Sequence, residues 1–460
     1  MPFEHWLARA GGAVTVVGCA ALLPLAGVLT GHATARPRGV VPMLDKYGGN
    51  PAVTGRRTGF FHAEQVSGRW RLVDPLGNAF VSIGVCHASY QGDTIQGTDK
   101  RPYHEAAAKR YGSEDAWAKA VAERLRSWGF NTIGAWSSPS LWTRDMAYTV
   151  ILNLGAASVR DAWLTGGFPD VFSARFREAA ERAARSLCRP RRDDPYLLGY
   201  FTDNELRWGP DWRSPRALFD DFFRLAGGEP GKKALVEMLR RRYGDVEALN
   251  RAWGSSFWSW EEVLTSADLP EPASSKGREA LAKDRDAFLE VAARQYFQVC
   301  RDVIEAEDPN HMVLGCRFAG YAPEPVLRGM KGLVDVVSYN DYSSEAPVER
   351  LRHIYSVVGA PMMLTEFSFK AMDSGLPNTN GAGVPVQTQK DRADGFERYV
   401  RALMSEPFMV GYHWFEWADE PKEGRFDGEN SNYGLVDIND DPWQVLVERM
   451  TRVNREMAAM

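Results

Sequence analysis

Two glutamates in this 460-residue chain stand where side chains could do chemistry. The apolar run 196–201 leads through Thr202 and Asp203 into Asn204 and Glu205, and the run 361–365 leads directly into Glu366. A pair of carboxyl groups can divide labour on an acetal: one keeps a proton for the departing oxygen, while the other, ionised, attacks the anomeric carbon. Glycoside hydrolysis with retention of configuration asks for such a pair about 5 Å apart. The proton donor needs a raised pKa and the nucleophile needs hydrogen-bond donors that favour its charge. One acidic residue at the start of a loop is ordinarily a solvated group or a helix cap. Two of them at the ends of apolar strands, one preceded by Asn, point to catalysis instead.

The elements that would position this pair are strands apolar along their whole length, separated by segments of 3.6-residue period, which is the pattern of a parallel sheet covered on both faces. Strands are expected at 79–85, 131–136, 149–154, 196–201, 312–316, 334–339, 361–366 and 409–414. Eight such strands predict a closed (β/α)₈ TIM barrel, an α/β fold whose active sites lie at the carboxyl ends of the strands. Glu205 then ends strand four and Glu366 ends strand seven, nearly across the barrel from each other. Between strands one and two, Trp117, Val121, Leu125 and Trp128 recur at helical spacing, with Ser113 placed to cap the start and Gly129 to end it. Phe396, Val400 and Leu403 repeat the device behind Thr388. A doubly wound open sheet would show a Gly-rich phosphate loop after its first strand, and Gly84-Val85-Cys86-His87 is not one.

Other segments read as additions to the barrel. Residues 59–80 form short apolar runs broken by Ser67-Gly68 and Asp74-Pro75-Leu76-Gly77, which predicts a β-hairpin region ahead of the barrel. Residues 206–276, rich in Trp and Arg, read as a helical insertion after strand four. Residues 371–387, dense in Gly, Pro and Asn, suit a long loop or lid. Residues 1–35 combine Arg9, an apolar run and Ala33-Thr34-Ala35, the pattern of an export signal. An uncleaved N-terminal anchor, or a lipid on Cys19 of Val16-Val17-Gly18-Cys19, are the alternatives for the same segment. Residues 36–58 are read as a linker and 59–460 as the barrel domain.

Net charge of -5 lacks the basic excess that binding nucleic acid or anionic lipid requires. Cys86, Cys188, Cys300 and Cys316 form no metal-ligand pattern, so no metal or other cofactor is expected. The acidic run Asp437, Asp440 and Asp441 reads as a turn rather than a calcium loop. Fifteen Trp provide either core filling or flat platforms for sugar rings.

Asn204-Glu205 at the end of strand four and Glu366 at the end of strand seven resemble the hallmark of the clan of retaining (β/α)₈ glycosidases. Within it the chain is most similar to the β-agarase family, glycoside hydrolase family fifty. The similar stretches are Arg69-Trp70-Arg71-Leu72-Val73-Asp74-Pro75, Thr202-Asp203-Asn204-Glu205-Leu206, Leu364-Thr365-Glu366-Phe367-Ser368, Gly411-Tyr412-His413-Trp414-Phe415, and the long run from Gly424 to Val436. A weaker likeness to the family forty-two β-galactosidases lies in Leu249-Asn250-Arg251-Ala252-Trp253-Gly254 with Phe257-Trp258. The resemblance implies that Asn204 bonds the 2-hydroxyl of the sugar being cut, that Tyr339 holds the Glu366 carboxylate, and that Trp414 floors the sugar. It adds Asn340, His413, Trp417, Glu429, Asn430 and Asn432 as candidate sugar-binding residues. Cys86-His87, at the end of strand one where the family leads one to expect Asn, departs from the pattern, as does the short β region ahead of the barrel.

The combined expectation is an exported, exo-acting glycosidase, agarase- or β-galactosidase-like, that cleaves β-glycosidic bonds in an oligo- or polysaccharide. The competing class is a catalytically dead barrel that only binds exported polysaccharide. A Schiff-base or metal-dependent barrel lacks its equipment, because no Lys except Lys370 approaches a strand end.

Overall fold

In the computed structural model, which describes residues 43–159 and 162–460, the apolar runs form the staves of a parallel barrel. Its strands are Ser82–Val85, Thr132–Ile133, Ala147–Ile151, Leu197–Phe201, Met312–Val313 continued by Phe318–Ala319, Val337–Asn340, Met362–Glu366 and Met409–Trp414. The fifth stave closes the barrel. Its first half pairs with strand four and its second half with strand six, so the two ends of the sheet belong to one passage of the chain. Between the halves Gly315 and Arg317 take left-handed backbone conformations, φ 78° and 48°. The expected uninterrupted strand 312–316 is therefore corrected to a kinked one, and the kink turns Arg317 into the barrel mouth.

Alternation along the strands, reset by register shifts at Gly199 in strand four and Gly411 in strand eight, sorts side chains between two apolar layers. Leu198, Met312, Leu314, Val336, Met363 and Val410 fill the barrel interior. Ile83, Tyr200, Val337, Leu364 and Tyr412 face the surrounding helices. The helices form where the caps lie: Ser113 Oγ accepts from Ala116 N ahead of Glu114–Ser127. Thr388 and Asp391 make a reciprocal capping box ahead of Gln389–Met404. Strands two and three are joined by a loop whose only helical turn among the described residues is Pro139–Leu141.

Residues 36–58, read as a linker, are corrected for their described part. Asn50–Thr54 is a strand, paired antiparallel with Asn78–Phe80 and joined in one four-stranded sheet with the hairpin His62–Val66 and Arg69–Val73. The Gly- and Pro-rich composition conceals an edge strand whose anchors are polar. Asn50 Nδ2 donates to Ala459 O at 2.9 Å, and Asp45 Oδ1 accepts from Gly49 N at 2.9 Å. Tyr47, Phe61, Leu72 and Phe80 of this region pack under the amino ends of the barrel strands.

The insertion after strand four consists of Leu218–Phe223, Pro230–Tyr243, Val246–Trp253 and Trp260–Thr265, and leads into the long helix Ser275–Glu307. The first three pack on that long helix, and Trp260–Thr265 packs on Pro230–Tyr243. The preceding loop turns toward the mouth, through Arg213 Nη1 donating to Trp163 O at 3.1 Å. Residues 371–387 carry a strand, Val384–Val386, paired with Phe369–Ala371. Among the described residues no helix is long and apolar enough to cross a membrane. The expected signal, anchor or lipidated Cys19 within residues 1–35 lies outside the described residues.

Candidate active site

Asp203 fixes the start of the loop that carries the first glutamate. Burial pushes its carboxyl up to about 6, against donors that favour its charge. They are Tyr296 Oη at 2.6 Å, Gly155 N at 2.6 Å and Ala156 N at 3.1 Å. The chain then turns through Asn204 into Glu205, whose φ of 49° is left-handed. Such a conformation is unfavourable for a residue with a Cβ and persists only where the surroundings enforce it. Here the enforcement includes Glu205 N donating to Arg317 O at 3.2 Å.

Asn340 meets Glu205 from strand six. Its Nδ2 donates to Glu205 Oε1 at 2.9 Å and to Asn204 Oδ1 at 3.3 Å, while its Oδ1 accepts from Thr365 Oγ1 at 2.9 Å. Asn340 is also the register partner of Glu366 on the neighbouring strand. Arg317, fully buried, makes the second bridge. Its Nη1 donates to Asn204 Oδ1 at 2.8 Å, and its Nη2 donates to Glu366 Oε1 at 3.0 Å and to Thr365 O at 2.8 Å. The guanidinium lies 4.2 Å from the ring centroid of Trp136. Tyr342 Oη donates to the other oxygen, Glu366 Oε2, at 3.1 Å.

Burial pushes the Glu366 carboxyl up to about 7; Arg317 and Tyr342 pull it down, and the nearby Glu205 pushes it further up. A cation and a phenol thus offset much of the cost of holding a charged carboxylate where water is excluded. On the outer side of Glu205, Trp163 Nε1 donates to Oε2 at 3.2 Å.

The predicted site residues divide. Glu205, Glu366, Asn204 and Asn340 come together. Glu429 lies at the edge, with Oε2 accepting from Arg425 Nη2 at 2.6 Å; burial raises its carboxyl, and Glu205 adds to the rise. Tyr339 does not hold Glu366: strand alternation turns it outward into the helix layer while Ser338 and Asn340 point inward, and its buried hydroxyl has no partner. Tyr342 takes that place. Trp414 is wholly buried on the helix side, packed edge-on to Phe367 and Phe396, with Nε1 donating to Tyr433 O at 2.9 Å. It floors no sugar in this arrangement.

His413 points into the barrel below the site. Its Nε2 lies 2.8 Å from Ser82 Oγ, and burial with the Arg317 charge pushes it down to about 3, so it is a neutral core group. Gly84 makes room for it, since a Cβ there would collide with the imidazole. Trp417 donates from Nε1 to Tyr103 Oη at 2.6 Å and stacks on Trp128, away from the mouth. Asn430 and Asn432 are positioning residues for the 371–387 loop. Asn430 Oδ1 accepts from Thr379 N at 3.0 Å, and Asn432 N donates to Asn378 Oδ1 at 2.8 Å.

Sequence reasoning missed Arg317, Tyr342 and Trp163. The signal for Arg317 was a charged residue following Gly315-Cys316 at a strand end, hidden because the run 312–316 reads as an ordinary strand.

One group among the described residues has metal-ligand spacing: His87, Asp93 and Glu416. His87 Nδ1 already shares a hydrogen bond with Glu416 Oε2, and Asp93 Oδ2 lies 3.9 Å from the same nitrogen. Burial pulls the imidazole pKa down, but Asp93 and Glu416 outweigh it and lift it to about 9. In this arrangement the cluster is joined by the hydrogen bond between His87 and Glu416.

Bridged carboxyl groups at the ends of opposed barrel strands, with a cation on one of them, are the equipment of a TIM-barrel glycoside hydrolase. Comparison with known proteins agrees. The family model described as Glyco_hydro_42, beta-galactosidase, matches residues 144–374, just over half of the chain, and the protein belongs to that family. Similarity to agarases covers more of its length. Beta-agarase B of Vibrio sp. (strain JT0107) is 29% identical over 91% of this chain and 50% of its own. The solved structure of an agarase, AgWH50C, superposes with a TM-score of 0.80 at 28% identity, covering 90% of this chain and 68% of that one. An exo-beta-agarase structure gives the same TM-score and the same coverage at 25% identity. The chain spans about half the length of the curated relatives it matches.

Proposed function

We propose that the protein is a retaining glycoside hydrolase that cleaves β-glycosidic bonds in galactose-containing oligo- or polysaccharides, acting from a chain end, after export from the cell. The observation that carries this reading is the network joining the two glutamates, in which Asn340 holds Glu205, Arg317 holds Glu366, and both donate to Asn204 Oδ1. Glu205 protonates the glycosidic oxygen as a Glu366 oxygen attacks the anomeric carbon; the C–O bond breaks and its electron pair stays with the leaving sugar. Water then attacks the same carbon, gives its proton to the Glu205 carboxylate, and frees Glu366. Arg317 and Tyr342 favour the ionised nucleophile, so Glu366 loses its proton near neutral pH rather than far above it.

Because Arg317 occupies the Oδ1 of Asn204, the Asn204 amide NH₂ is left to meet a sugar hydroxyl. Chain-end action is supported by the wall that closes one side. Lys370 Nζ donates to Asn380 O at 3.1 Å, Gly383 N to Tyr433 Oη at 2.6 Å, and Asn380 Nδ2 to Gly428 O at 2.9 Å, so the 371–387 loop is tied to the segment after strand eight. The relation to β-agarases and β-galactosidases supports the galactosidic bond, and the signal-like pattern of residues 1–35 supports export.

Aryl β-galactosides and agarose oligosaccharides, offered to purified wild type and to Glu366→Ala, test the proposal. The variant should lose at least roughly 10³-fold in turnover while still binding sugar. Unchanged hydrolysis by Glu366→Ala would remove the assignment.

A further inference from the structure

We propose that Trp163 and Phe426 form the seat of the leaving sugar, the residue on the far side of the bond being cut, by taking the apolar face of its ring. The inference rests on Glu205 being the acid of the reaction proposed above.

The acid protonates the departing oxygen, so the leaving sugar must lie against whatever flanks Glu205 on the side away from the nucleophile. The two oxygens of Glu205 mark the two sides. Oε1 faces Asn340, the register partner of Glu366, and Oε2 faces the indole of Trp163 at 3.2 Å. Trp163 sits in the short helix Ala162–Thr165 that follows strand three, and its ring lies 6.2 Å from that of Phe426, inclined at 60°. Two apolar rings set at an angle beside a proton donor present the surface that the C–H face of a pyranose complements.

Phe426 is 56% exposed although it is among the largest apolar side chains of the protein. An exposed ring on a floppy loop would need no explanation, but this loop is fixed. Arg425, whose guanidinium lies 5.4 Å from the Phe426 ring centroid, donates to both Asp427 and Glu429. Gln96 Nε2 donates to Phe426 O at 3.3 Å and Gln96 N to Gly424 O at 2.9 Å. Gly428 N returns to Arg425 O at 2.8 Å, and Asn380 holds Gly428 O. The chain thus orders an apolar ring in water beside the acid, where burial in the core does not account for it. The tryptophans near strand eight, Trp128, Trp414 and Trp417, are packed on the core and supply no such surface.

The test compares two substrates with the same galactosyl residue in the cleaved position: β-galactosyl fluoride, which has no leaving sugar, and a β-galactosyl oligosaccharide, which has one. For Phe426→Ala the ratio of kcat/KM on the oligosaccharide to that on the fluoride should fall by roughly tenfold, and Phe426→Trp should restore it. A ratio equal to that of wild type in Phe426→Ala overturns the seat. In the Glu366→Gln background, read by calorimetry without turnover, Phe426→Ala should weaken oligosaccharide affinity by a similar factor, and unchanged affinity counts against the seat. Wild type that cleaves neither substrate would instead remove the galactosidase reading, and the calorimetric arm would then judge the seat by itself.

Discussion

The two ends of the barrel are built on opposite terms. At the amino ends of the strands, Tyr47, Phe61, Leu72 and Phe80 close the interior with apolar contacts; the Phe61 and Phe80 rings lie 4.9 Å apart and that of Tyr47 is 5.9 Å from Phe61. At the carboxyl ends, left-handed non-glycine residues follow or interrupt each of the first five strands: His87, Trp136, Asn153, Glu205 and Arg317. Each such conformation costs on the order of 1–3 kcal/mol. The same rim buries Glu366, Arg317 and Glu416. One end stabilises the fold, and the other uses some of that stability to hold charged groups in poses they would not adopt alone.

The largest effect expected from this contrast is on stability alone. Phe61→Ala should lower the unfolding free energy by about 3–5 kcal/mol, measured by denaturant titration, while kcat/KM well below the melting temperature stays within roughly twofold of wild type. A large loss of kcat/KM in the folded variant would show that the two ends are coupled rather than separable.

At the mouth the expected signature is pH. The folded-state pKa of Glu366 lies above its ordinary value, at about 7, so its contribution to stability is full below the ordinary carboxylate range and is lost as pH rises through about 7. If Glu366 is the nucleophile, as proposed, kcat/KM of the wild type should rise through an acid limb near 7. Arg317→Met removes the charge that pulls this value down. Its acid limb should move to higher pH, with kcat/KM at pH 6 lower by roughly 10²-fold and a smaller loss at pH 9. A uniform loss with an unmoved limb would make Arg317 a packing residue instead of the counter-charge of Glu366.

The barrel was legible because parallel strands buried on both faces leave long apolar runs, and because Ser113 and Thr388 mark helix starts. Glu205 and Glu366 were legible because they end such runs. What escaped the sequence depended on direction and irregularity. Tyr339, His413 and Trp414 sit at strand ends as expected, but alternation sends Tyr339 and Trp414 outward and His413 down into the core. Arg317 was hidden by the break in strand five, which only the pairing of its two halves reveals. Asn50–Thr54 was hidden by Gly and Pro around an edge strand. Asn430 and Asn432 have the composition of sugar ligands, yet the Asn430 side chain bonds to the adjoining loop and that of Asn432 to Ala371, Gln389 and Asp419.

The roles of Glu205 and Glu366 are tested most directly by the configuration of the first product. Proton NMR of a β-galactoside digest, recorded before mutarotation, should show the β-anomer released first, as two displacements at one carbon require. Initial release of the α-anomer would mean a single displacement by water, and Glu366 would then be a base and not a nucleophile.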